Sequence, residues 1–248
     1  NYMISKSQIK LIKSLNLKKN RIAHKLFLVE GLKSVVELLK SDYKIHNLIA
    51  TKSELINQEI LFSKYKIDYT NPKTLSSMGN FKTNNSVIAV VELKDTSKKK
   101  ISLSNYSIVL DRINDPGNLG TIIRIADWYG VENIICSMES VDLYNPKVIQ
   151  SSMGSFTRVN VYYRNLEDFF RQNSICVYGA VLGEKDYHKE KFNKKGILFF
   201  GNESNGISPN LNKFIDRKIS IIGKGKAESL NVAISSVLVL DKVRNFIN

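Results

Sequence analysis

The stretch ISIIGKGKAESLNVA (219–233) contains the end of an apolar strand, a loop rich in glycine and lysine, and the beginning of the last helix. Ser229 and Asn231 lie on either side of Leu230, where this helix begins. Serine is a common helix N-cap, which would account for Ser229. Asn231 is less expected there, because its side chain competes with helical hydrogen bonds. The stretch predicts a strand–loop–helix unit whose loop carries functional side chains.

Two earlier segments also interrupt apolar runs with polar residues. In DRINDPGNLGTIIRIADWYG (111–130) a strand ends, a loop turns and a helix begins, so that backbone N–H groups at the helix start could face an anion. Arg124 lies in the first or second turn of this otherwise apolar helix. In ILFFGNESNGIS (197–208), Glu203 follows the carboxyl end of an apolar strand, where open α/β sheets bind ligands. Taken singly, Arg124 would also suit a surface salt bridge and Glu203 an ordinary polar turn.

Strands and helices alternate in two regions of the chain, which predicts two α/β domains. Residues 1–93 form the first, which opens with a basic amphipathic helix over residues 4–20 and continues into a sheet of mostly parallel strands. Residues 94–105 are polar and basic, which indicates a linker. Residues 106–248 form the second domain, which ends in a helix over 229–247. In the first domain strands are predicted at 27–31, 44–51, 66–70 and 86–93, and helices at 32–41, 53–65 and 71–81.

The net charge of +14 makes a polyanion the leading partner, and its distribution is uneven. Residues 1–100 hold 19 Lys and Arg against 8 Asp and Glu, whereas residues 101–248 hold 18 against 15. A lysine-rich proteome would spread the excess evenly. The first region is therefore expected to attract the phosphates of a nucleic acid.

Several classes of protein are disfavoured by the sequence. The sequence contains no run of about 18 apolar residues, which argues against a membrane span. The amino end has no apolar block of the signal-peptide type. Cys136 and Cys176 lie in apolar runs typical of reduced core thiols, which favours the cytoplasm. The three histidines are scattered without metal-ligand spacing, so we expect no metal, and the common nucleotide-binding and hydrolase motifs do not occur.

Taken together, NDPGNLGTIIR, LFFGNESNGIS and IIGKGKAESLNVAISSVLVLDKVR resemble, in order and spacing, the motifs of the SpoU (TrmH-like) family of RNA 2′-O-ribose methyltransferases, within the SPOUT superfamily. NPKVIQSSMGS (145–155) extends this resemblance. The front segment KSLNLKKNRIAHKLFLVEGLKSVVELL resembles the family's substrate-binding domain, which is similar to ribosomal-protein-type RNA binders. The resemblance covers nearly the whole chain and is most specific after residue 105.

The resemblance implies a knotted catalytic domain, a cofactor and a partner copy. The expected fold is α/β, with a SPOUT-type parallel sheet and a deep trefoil knot behind a smaller RNA-binding domain. S-adenosylmethionine is the expected methyl donor, bound by the loops at 179–184, 201–206 and 221–230. Family members form homodimers that complete each site across the interface. Here the interface is expected on the last helix and the helix of the first motif, where Trp128, Tyr129, Val237 and Leu240 offer apolar surface.

Individual site residues follow from the same resemblance. Arg124 is the family's proposed base, but a guanidinium stays protonated in proteins, so we expect it to bind and polarise the target phosphate and hydroxyl. Glu203 is expected to orient Arg124. Gln150 departs from the family, many members of which have arginine at this position. The active-site residues implied are Asn118, Arg124, Glu203, Ser229 and Asn231, and the cofactor contacts implied are Gly201, Ile221 and Leu230. The charge excess of residues 1–100 predicts RNA contacts at Lys18, Lys19 and Arg21.

Two other functions fit the sequence less well. A non-catalytic RNA-binding protein on the same fold would be expected to lack Arg124 or Asn231, and both are present. A dinucleotide oxidoreductase is disfavoured because Gly117 and Gly120 do not form the G-x-G-x-x-G pattern. As for the substrate, ribosomal RNA is favoured over transfer RNA by analogy with the front domain, and the sequence does not identify the nucleotide.

Overall fold

The apolar runs predicted as strands form two separate sheets in a computed structural model, which describes residues 4–52, 55 and 59–247. The elements of the first 94 residues are α1 (Lys6–Ser14), α2 (Lys18–His24), β1 (Leu26–Glu30), α3 (Leu32–Leu39), β2 (Ile45–Ala50), α4 (Glu59–Phe62), β3 (Ile67–Tyr69), α5 (Pro72–Met78) and β4 (Val87–Glu92). The remaining elements are β5 (Ser107–Leu110), α6 (Pro116–Tyr129), β6 (Asn133–Ser137), α7 (Pro146–Ser151), β7 (Asn160–Arg164), α8 (Leu166–Arg171), β8 (Val177–Ala180), β9 (Ile197–Phe200), β10 (Arg217–Ile219) and α9 (Val232–Ile247), with short 3-10 helices at Ser155–Thr157, Tyr187–Lys189 and Pro209–Phe214.

The second sheet has six strands in the order β10-β8-β9-β5-β6-β7, and every neighbouring pair is parallel. Its central strands β5, β6 and β9 are buried along their whole length, as expected for strands covered on both faces. Parallel strands end at the same edge of a sheet. Polar segments that follow β5, β9 and β10 are therefore brought to one edge, and the predicted parallel α/β fold of this region is confirmed.

The first sheet differs from the prediction of mostly parallel strands. Its order is β1-β4-β2-β3, and β4 runs antiparallel to both of its neighbours, so that only β2 and β3 are parallel. The alternation of strands and helices predicts that helices pack on a sheet. It does not determine the direction of a strand, which depends on the end of the sheet at which the preceding connection finishes. The predicted helix at 53–65 lies partly outside the described residues, and α4 occupies Glu59–Phe62 within it.

The single helix expected over residues 4–20 is two helices that meet at a corner. The carbonyl groups that end α1 are bound by side chains of α2: Asn20 Nδ2 donates to Ser14 O at 2.9 Å, and the guanidinium of Arg21 donates to Leu15 O at 3.0 Å and Asn16 O at 2.8 Å. These side chains supply hydrogen-bond donors to carbonyl groups that have no partner within the helix. The amphipathic pattern predicted the apolar face correctly but did not reveal this break.

The chain divides into two compact units, residues 1–94 with 142–157, and residues 95–141 with 158–248. Arg21 is only 3% exposed and binds Asp142 through a 2.7 Å ion pair, so it holds the 142–157 segment within the first unit. In the same unit, Phe27 packs against Tyr144 and Phe156. Arg21 is therefore a structural residue, and its predicted contact with RNA is wrong, because its terminal nitrogens are engaged inside the protein.

Both cysteines are free thiols, and Cys136 is buried, which raises the pKa of its thiol. Over the residues that the structure describes, no helix is long and apolar enough to cross a lipid bilayer. The same residues contain no group of three or more His, Cys, Asp or Glu side chains placed to hold a metal ion.

We predict that Arg21→Leu destabilises the first unit by about 3–5 kcal/mol, because it leaves the Asp142 carboxylate without its partner and frees the carbonyl groups that end α1. Urea unfolding followed by circular dichroism, with hydrogen exchange of residues 6–24, measures the loss. Arg171→Leu, which breaks the exposed pair with Glu167, serves as the control and should cost much less. Equal losses for the two variants would contradict the role given to Arg21.

Candidate active site

The first motif places Asn118 in the opening turn of α6. Asp115 is the N-cap of this helix and accepts a 2.8 Å hydrogen bond from the backbone N–H of Asn118, while Pro116 occupies the first helical position. Proline suits that position because its missing N–H would have no helical partner. The side chain of Asn118 is thus fixed at the edge where β5 ends, and it is partly buried.

The second motif is a tight loop closed on itself. Asn202 and Gly206 exchange backbone hydrogen bonds of 3.0 and 2.9 Å, and the side-chain oxygen of Asn202 accepts from the N–H groups of Ser204 and Asn205. A Cβ on Gly201 would lie 2.1 Å from the carbonyl carbon of Gly206, so only glycine fits there. The closed loop fixes Glu203 at the carboxyl end of β9.

The third motif ends in a helix cap made by Asn231. The helix α9 begins at Val232, and Asn231 Oδ1 accepts hydrogen bonds from the backbone N–H groups of Ala233 at 2.9 Å and Ile234 at 3.4 Å. The interpretation of Ser229 as the cap is therefore wrong, because the helix begins three residues after it. Ser229 and Leu230 are exposed on the loop that precedes the cap.

A chain of side-chain hydrogen bonds joins the three motifs. Asn118 Nδ2 donates to Glu203 Oε1 at 2.7 Å, and Asn231 Nδ2 donates to Asn118 Oδ1 at 2.8 Å. Because Asn118 uses both ends of its amide, the orientation of its oxygen and nitrogen is determined. Hydrogen bonds to a charged carboxylate are stronger than those between neutral groups. The three polar segments singled out in the sequence thus form one site.

Arg124 does not join this chain. It is exposed on α6, and within the described residues its guanidinium has no hydrogen-bond or carboxylate partner. Six residues separate it from Asn118, which places the two side chains about 120° apart around a helix with 3.6 residues per turn. The expected orientation of Arg124 by Glu203 is not observed, since Glu203 holds Asn118 instead. Trp128, one turn further on, shares the face of Arg124 and is 79% exposed.

The predicted cofactor loops follow β8, β9 and β10, three strands that lie side by side. The loops after β8 and β10 carry exposed apolar side chains: Leu182 is 69% exposed, and Ile222 and Leu230 are at least half exposed. Exposed apolar side chains concentrated at the polar edge of a sheet indicate a ligand-binding surface. Gly201 lies in the loop after β9, and Ile221 is partly buried beside Ile222.

Two family models together match nearly the whole chain. Residues 105–241 match the SpoU rRNA Methylase family, and residues 6–103 match the MRM3-like substrate binding domain. The chain belongs to the SpoU rRNA methylase family. The family and the enzyme class predicted from the three motifs are thereby confirmed, and the protein is an RNA methyltransferase.

Similar proteins include two curated relatives and a solved structure. The 23S rRNA (guanosine(2553)-2′-O)-methyltransferase RlmP of Bacillus subtilis is 27% identical, and the match covers 96% of each chain. The 23S rRNA (uridine(2479)-2′-O)-methyltransferase of Streptomyces viridochromogenes is 30% identical over 62% of this chain and 58% of its own. The AdoMet-bound rRNA methyltransferase of Sinorhizobium meliloti is 29% identical, with a TM-score of 0.87 over 99% of this chain and 98% of that structure.

Two further residues at this SpoU family site were not predicted from the sequence. Asn202 donates from Nδ2 to the backbone oxygen of Arg112 at 2.8 Å and lies 3.4 Å from Glu203 Oε2. Asp111, buried at the end of β5, accepts from the backbone N–H and hydroxyl of Ser208. The signal for Asp111 was a carboxylate at the end of an apolar strand, where burial requires a partner. Gln150 is exposed on α7.

We predict that replacing Asn231 with Asp or Ala separates its two roles. Asn231→Ala removes both the cap and the bond to Asn118, so it should cost about 1 kcal/mol of stability and most of the methyl transfer. Asn231→Asp keeps the cap but sets an acceptor against Asn118 Oδ1, so it should leave stability nearly unchanged while methyl transfer falls about tenfold or more. Urea unfolding and tritiated-methyl incorporation measure the two effects.

The matched control is Asn165, which caps α8 by accepting from the backbone N–H of Asp168 at 3.1 Å. Asn165→Ala should lower stability alone, and Asn165→Asp should change neither quantity. Full methyl transfer by Asn231→Asp would show that its bond to Asn118 has no part in the reaction.

Proposed function

We propose that this protein methylates a ribose 2′-hydroxyl of large-subunit ribosomal RNA, using S-adenosylmethionine, and works as a metal-free homodimer. The observation that carries the proposal is the hydrogen-bonded chain Asn231–Asn118–Glu203, which unites the three family motifs at the carboxyl edge of the parallel sheet. This chain is made of residues that the resemblance assigned to the active site.

Support for a ribosomal RNA substrate comes from the relatives. The B. subtilis and S. viridochromogenes proteins are both named as 2′-O-methyltransferases of 23S rRNA. Their names give a guanosine and a uridine respectively, so the target base does not carry over to this chain. The alternative of transfer RNA is less favoured, because both of these named relatives act on 23S rRNA.

The methyl donor is S-adenosylmethionine, which supplies an electrophilic methyl group on a sulfonium when bound. The S. meliloti structure, which is 29% identical to this chain over nearly its full length, contains bound AdoMet. The residues present here fit such a molecule: Leu182, Ile222 and Leu230 expose apolar groups on the loops after β8 and β10, and Gly201 begins the neighbouring loop after β9 with no side chain of its own. We assign Gly201, Ile221 and Leu230 to cofactor binding on this basis.

The remaining residues position the RNA. We assign Arg124 to the target phosphate and hydroxyl, because a guanidinium is a permanent donor whose fork matches phosphate. Asn118, Glu203 and Asn231 hold the loops in register, and Ser229 lies exposed beside them to contact the nucleotide. Positioning of this kind can supply roughly 7–11 kcal/mol of barrier reduction in a reaction that needs two groups in line.

A partner copy accounts for the position of Arg124. This side chain projects from α6 on the same face as Trp128 and away from Asn118 of its own chain, so a second protomer seated on that face can bring the two residues to one site. Ile234 of α9 is also exposed. Leu240, expected at this interface, is 2% exposed and belongs to the core of its own unit. The trefoil knot and the cytoplasmic location stay predictions, the latter supported by the two free thiols.

The RNA is captured by the first unit, in which α1, α2 and the corner between them are rich in lysine. Lys18 and Lys19 are exposed, as are Lys6, Lys10 and Lys13, and none of the five is paired with a carboxylate of the described residues. Unpaired lysines bind phosphates with the release of counterions. We propose residues 1–93 as the RNA-binding domain, 94–105 as a linker and 106–248 as the catalytic domain, except that the segment 142–157 belongs to the first compact unit.

RNA binding and methyl transfer should be impaired by different substitutions. Lys18→Gln with Lys19→Gln should weaken RNA binding and flatten its salt dependence by about 0.7–0.9 per lost phosphate contact, with AdoMet binding intact. Arg124→Ala should lower methyl transfer by about 100-fold or more, while RNA affinity falls by about tenfold or less, the loss of one phosphate contact. Filter binding at several salt concentrations and tritiated-methyl transfer on chelator-treated protein provide the measurements, with Lys194→Gln and Lys195→Gln together as the control. Loss of all RNA affinity in Arg124→Ala, with normal binding by the lysine variant, would reverse the proposed roles.

The dimer should depend on the exposed face of α6. We expect Trp128→Glu to give monomers by light scattering and to abolish methyl transfer, whereas Met138→Glu, at an exposed apolar residue outside α6, should remain dimeric. Mixing Arg124→Ala with Asn118→Ala should restore roughly a quarter of wild-type activity, because half of the dimers are mixed and each has one intact site if the site is shared. Wild-type protein that is a monomer at micromolar concentration would refute this assembly.

A further inference from the structure

The backbone of Arg112, which lies just beyond the end of β5, is left-handed. Its φ is +53°, a value that residues with a side chain rarely adopt. Two hydrogen bonds hold it there: its N–H donates to Ser137 Oγ at 2.9 Å, and its carbonyl oxygen accepts from Asn202 Nδ2 at 2.8 Å. Conformations of this kind persist only where the surroundings enforce them, and they concentrate at functional sites.

The side chain of Arg112 is buried at one nitrogen and open at the other two. Its Nε is buried and lies 3.4 Å from Asp111 Oδ1 as an ion pair without a hydrogen bond, while Asp111 Oδ2 accepts from the N–H and hydroxyl of Ser208. A third of the side chain is exposed, and the terminal Nη groups make no hydrogen bond to any residue that the structure describes. Burial of Nε beside the Asp111 carboxylate limits the positions of the guanidinium and leaves its Nη edge available to a ligand.

Arg112 borders the active site through Asn202. The amide of Asn202 that donates to Arg112 O lies 3.4 Å from Glu203 Oε2, and Glu203 accepts from Asn118. The loop between β5 and α6 therefore supplies Arg112 to the border of the network, and the helix that follows supplies Asn118 to its centre. Nothing in the sequence singles out Arg112, because an arginine after a strand is an ordinary surface residue.

We propose that Arg112 binds a phosphate of the RNA strand beside the target nucleotide, a second phosphate contact in addition to that of Arg124. The proposal rests on the proposed function, since it takes RNA as the substrate. A guanidinium with a free Nη edge matches two phosphate oxygens, and Asp111 occupies the Nε edge that would otherwise compete. The strained backbone is retained because it delivers this side chain to the edge of the sheet where β5 ends.

Substitutions at Arg112 can remove the guanidinium without disturbing the backbone. Asparagine and glycine both tolerate the left-handed region, so Arg112→Asn and Arg112→Gly keep the turn. An unmodified transcript of B. subtilis 23S rRNA serves as the probe, bound at several salt concentrations. We expect both variants to lose about tenfold in RNA affinity, the loss typical of one charged hydrogen-bonded contact, and to flatten the salt slope by about 0.7–0.9.

Further measurements distinguish a role of Arg112 in RNA binding from a purely structural role. AdoMet affinity by calorimetry should not change, and urea stability of Arg112→Gly should equal or exceed that of the wild type because the strain is relieved. Arg112→Lys should retain part of the RNA affinity, since it keeps the charge and loses the fork. Arg171→Asn removes an arginine from the last turn of α8, at the opposite edge of the sheet, and should leave RNA binding unchanged. Lys25→Gly, at another left-handed position with φ +55°, is the control for the effect of relieved backbone strain on stability.

The proposal is overturned if Arg112→Asn binds the transcript with wild-type affinity and salt slope. It is equally overturned if AdoMet affinity falls and RNA affinity does not, because the anion would then be the carboxylate of the cofactor. Wild-type protein that binds the transcript but transfers no methyl group to it would refute the proposed substrate instead. The role of Arg112 would then be decided by the binding measurement, which does not need turnover.

Discussion

The amide of Asn118 is the contact on which the site depends. It donates to Glu203 at 2.7 Å and accepts from Asn231 at 2.8 Å, so one side chain joins three segments that are far apart in sequence. Neither bond could form if the amide were turned around. Its position is set by the cap of α6 at Asp115, the partner carboxylate by the closed loop at 201–206, and the partner amide by the cap of α9. Local turn chemistry therefore decides whether the site exists.

The parallel sheet explains why these local turns meet. Each strand of the second sheet runs in the same direction, so every strand end that carries a functional loop lies at one edge. All residues of strands β5, β6 and β9 are buried, so their side chains are not accessible to a substrate. The polar side chains nearest the site follow the strands, at Asp111 after β5 and at Asn202 after β9. A core that must be apolar on both faces leaves the loops as the place for function.

The strands, the parallel fold of the second sheet and the polar residues of the site could be predicted from the sequence, because apolar runs and motif spacing are local signals. Prediction failed where a residue's role depends on distant partners. Ser229 suits a cap in sequence, but the cap of α9 lies two residues later, at Asn231. Arg21 has exposed lysine neighbours that suggest a phosphate contact, whereas its own partner, Asp142, lies 121 residues away. Strand direction in the first sheet was missed for the same reason, since antiparallel pairing of β4 is decided by long-range register.

Three arginines show how partners, more than residue type, determine what a charge does. Arg21 is buried, and its terminal nitrogens are bound by carbonyl groups and a carboxylate, so it stabilises the fold. Arg124 is exposed and unpaired within the described residues, so its guanidinium is open to solvent, as the proposed contact with a phosphate requires. Arg112 is intermediate, with one nitrogen buried in an ion pair with Asp111 and two free of partners among the residues described. An internal partner lowers the gain from binding RNA, because it must be given up, whereas a free guanidinium exchanges only water and counterions. The amides of the site pair with one another, so under the proposed function the arginines that face outward keep their charges for RNA while the site holds its shape.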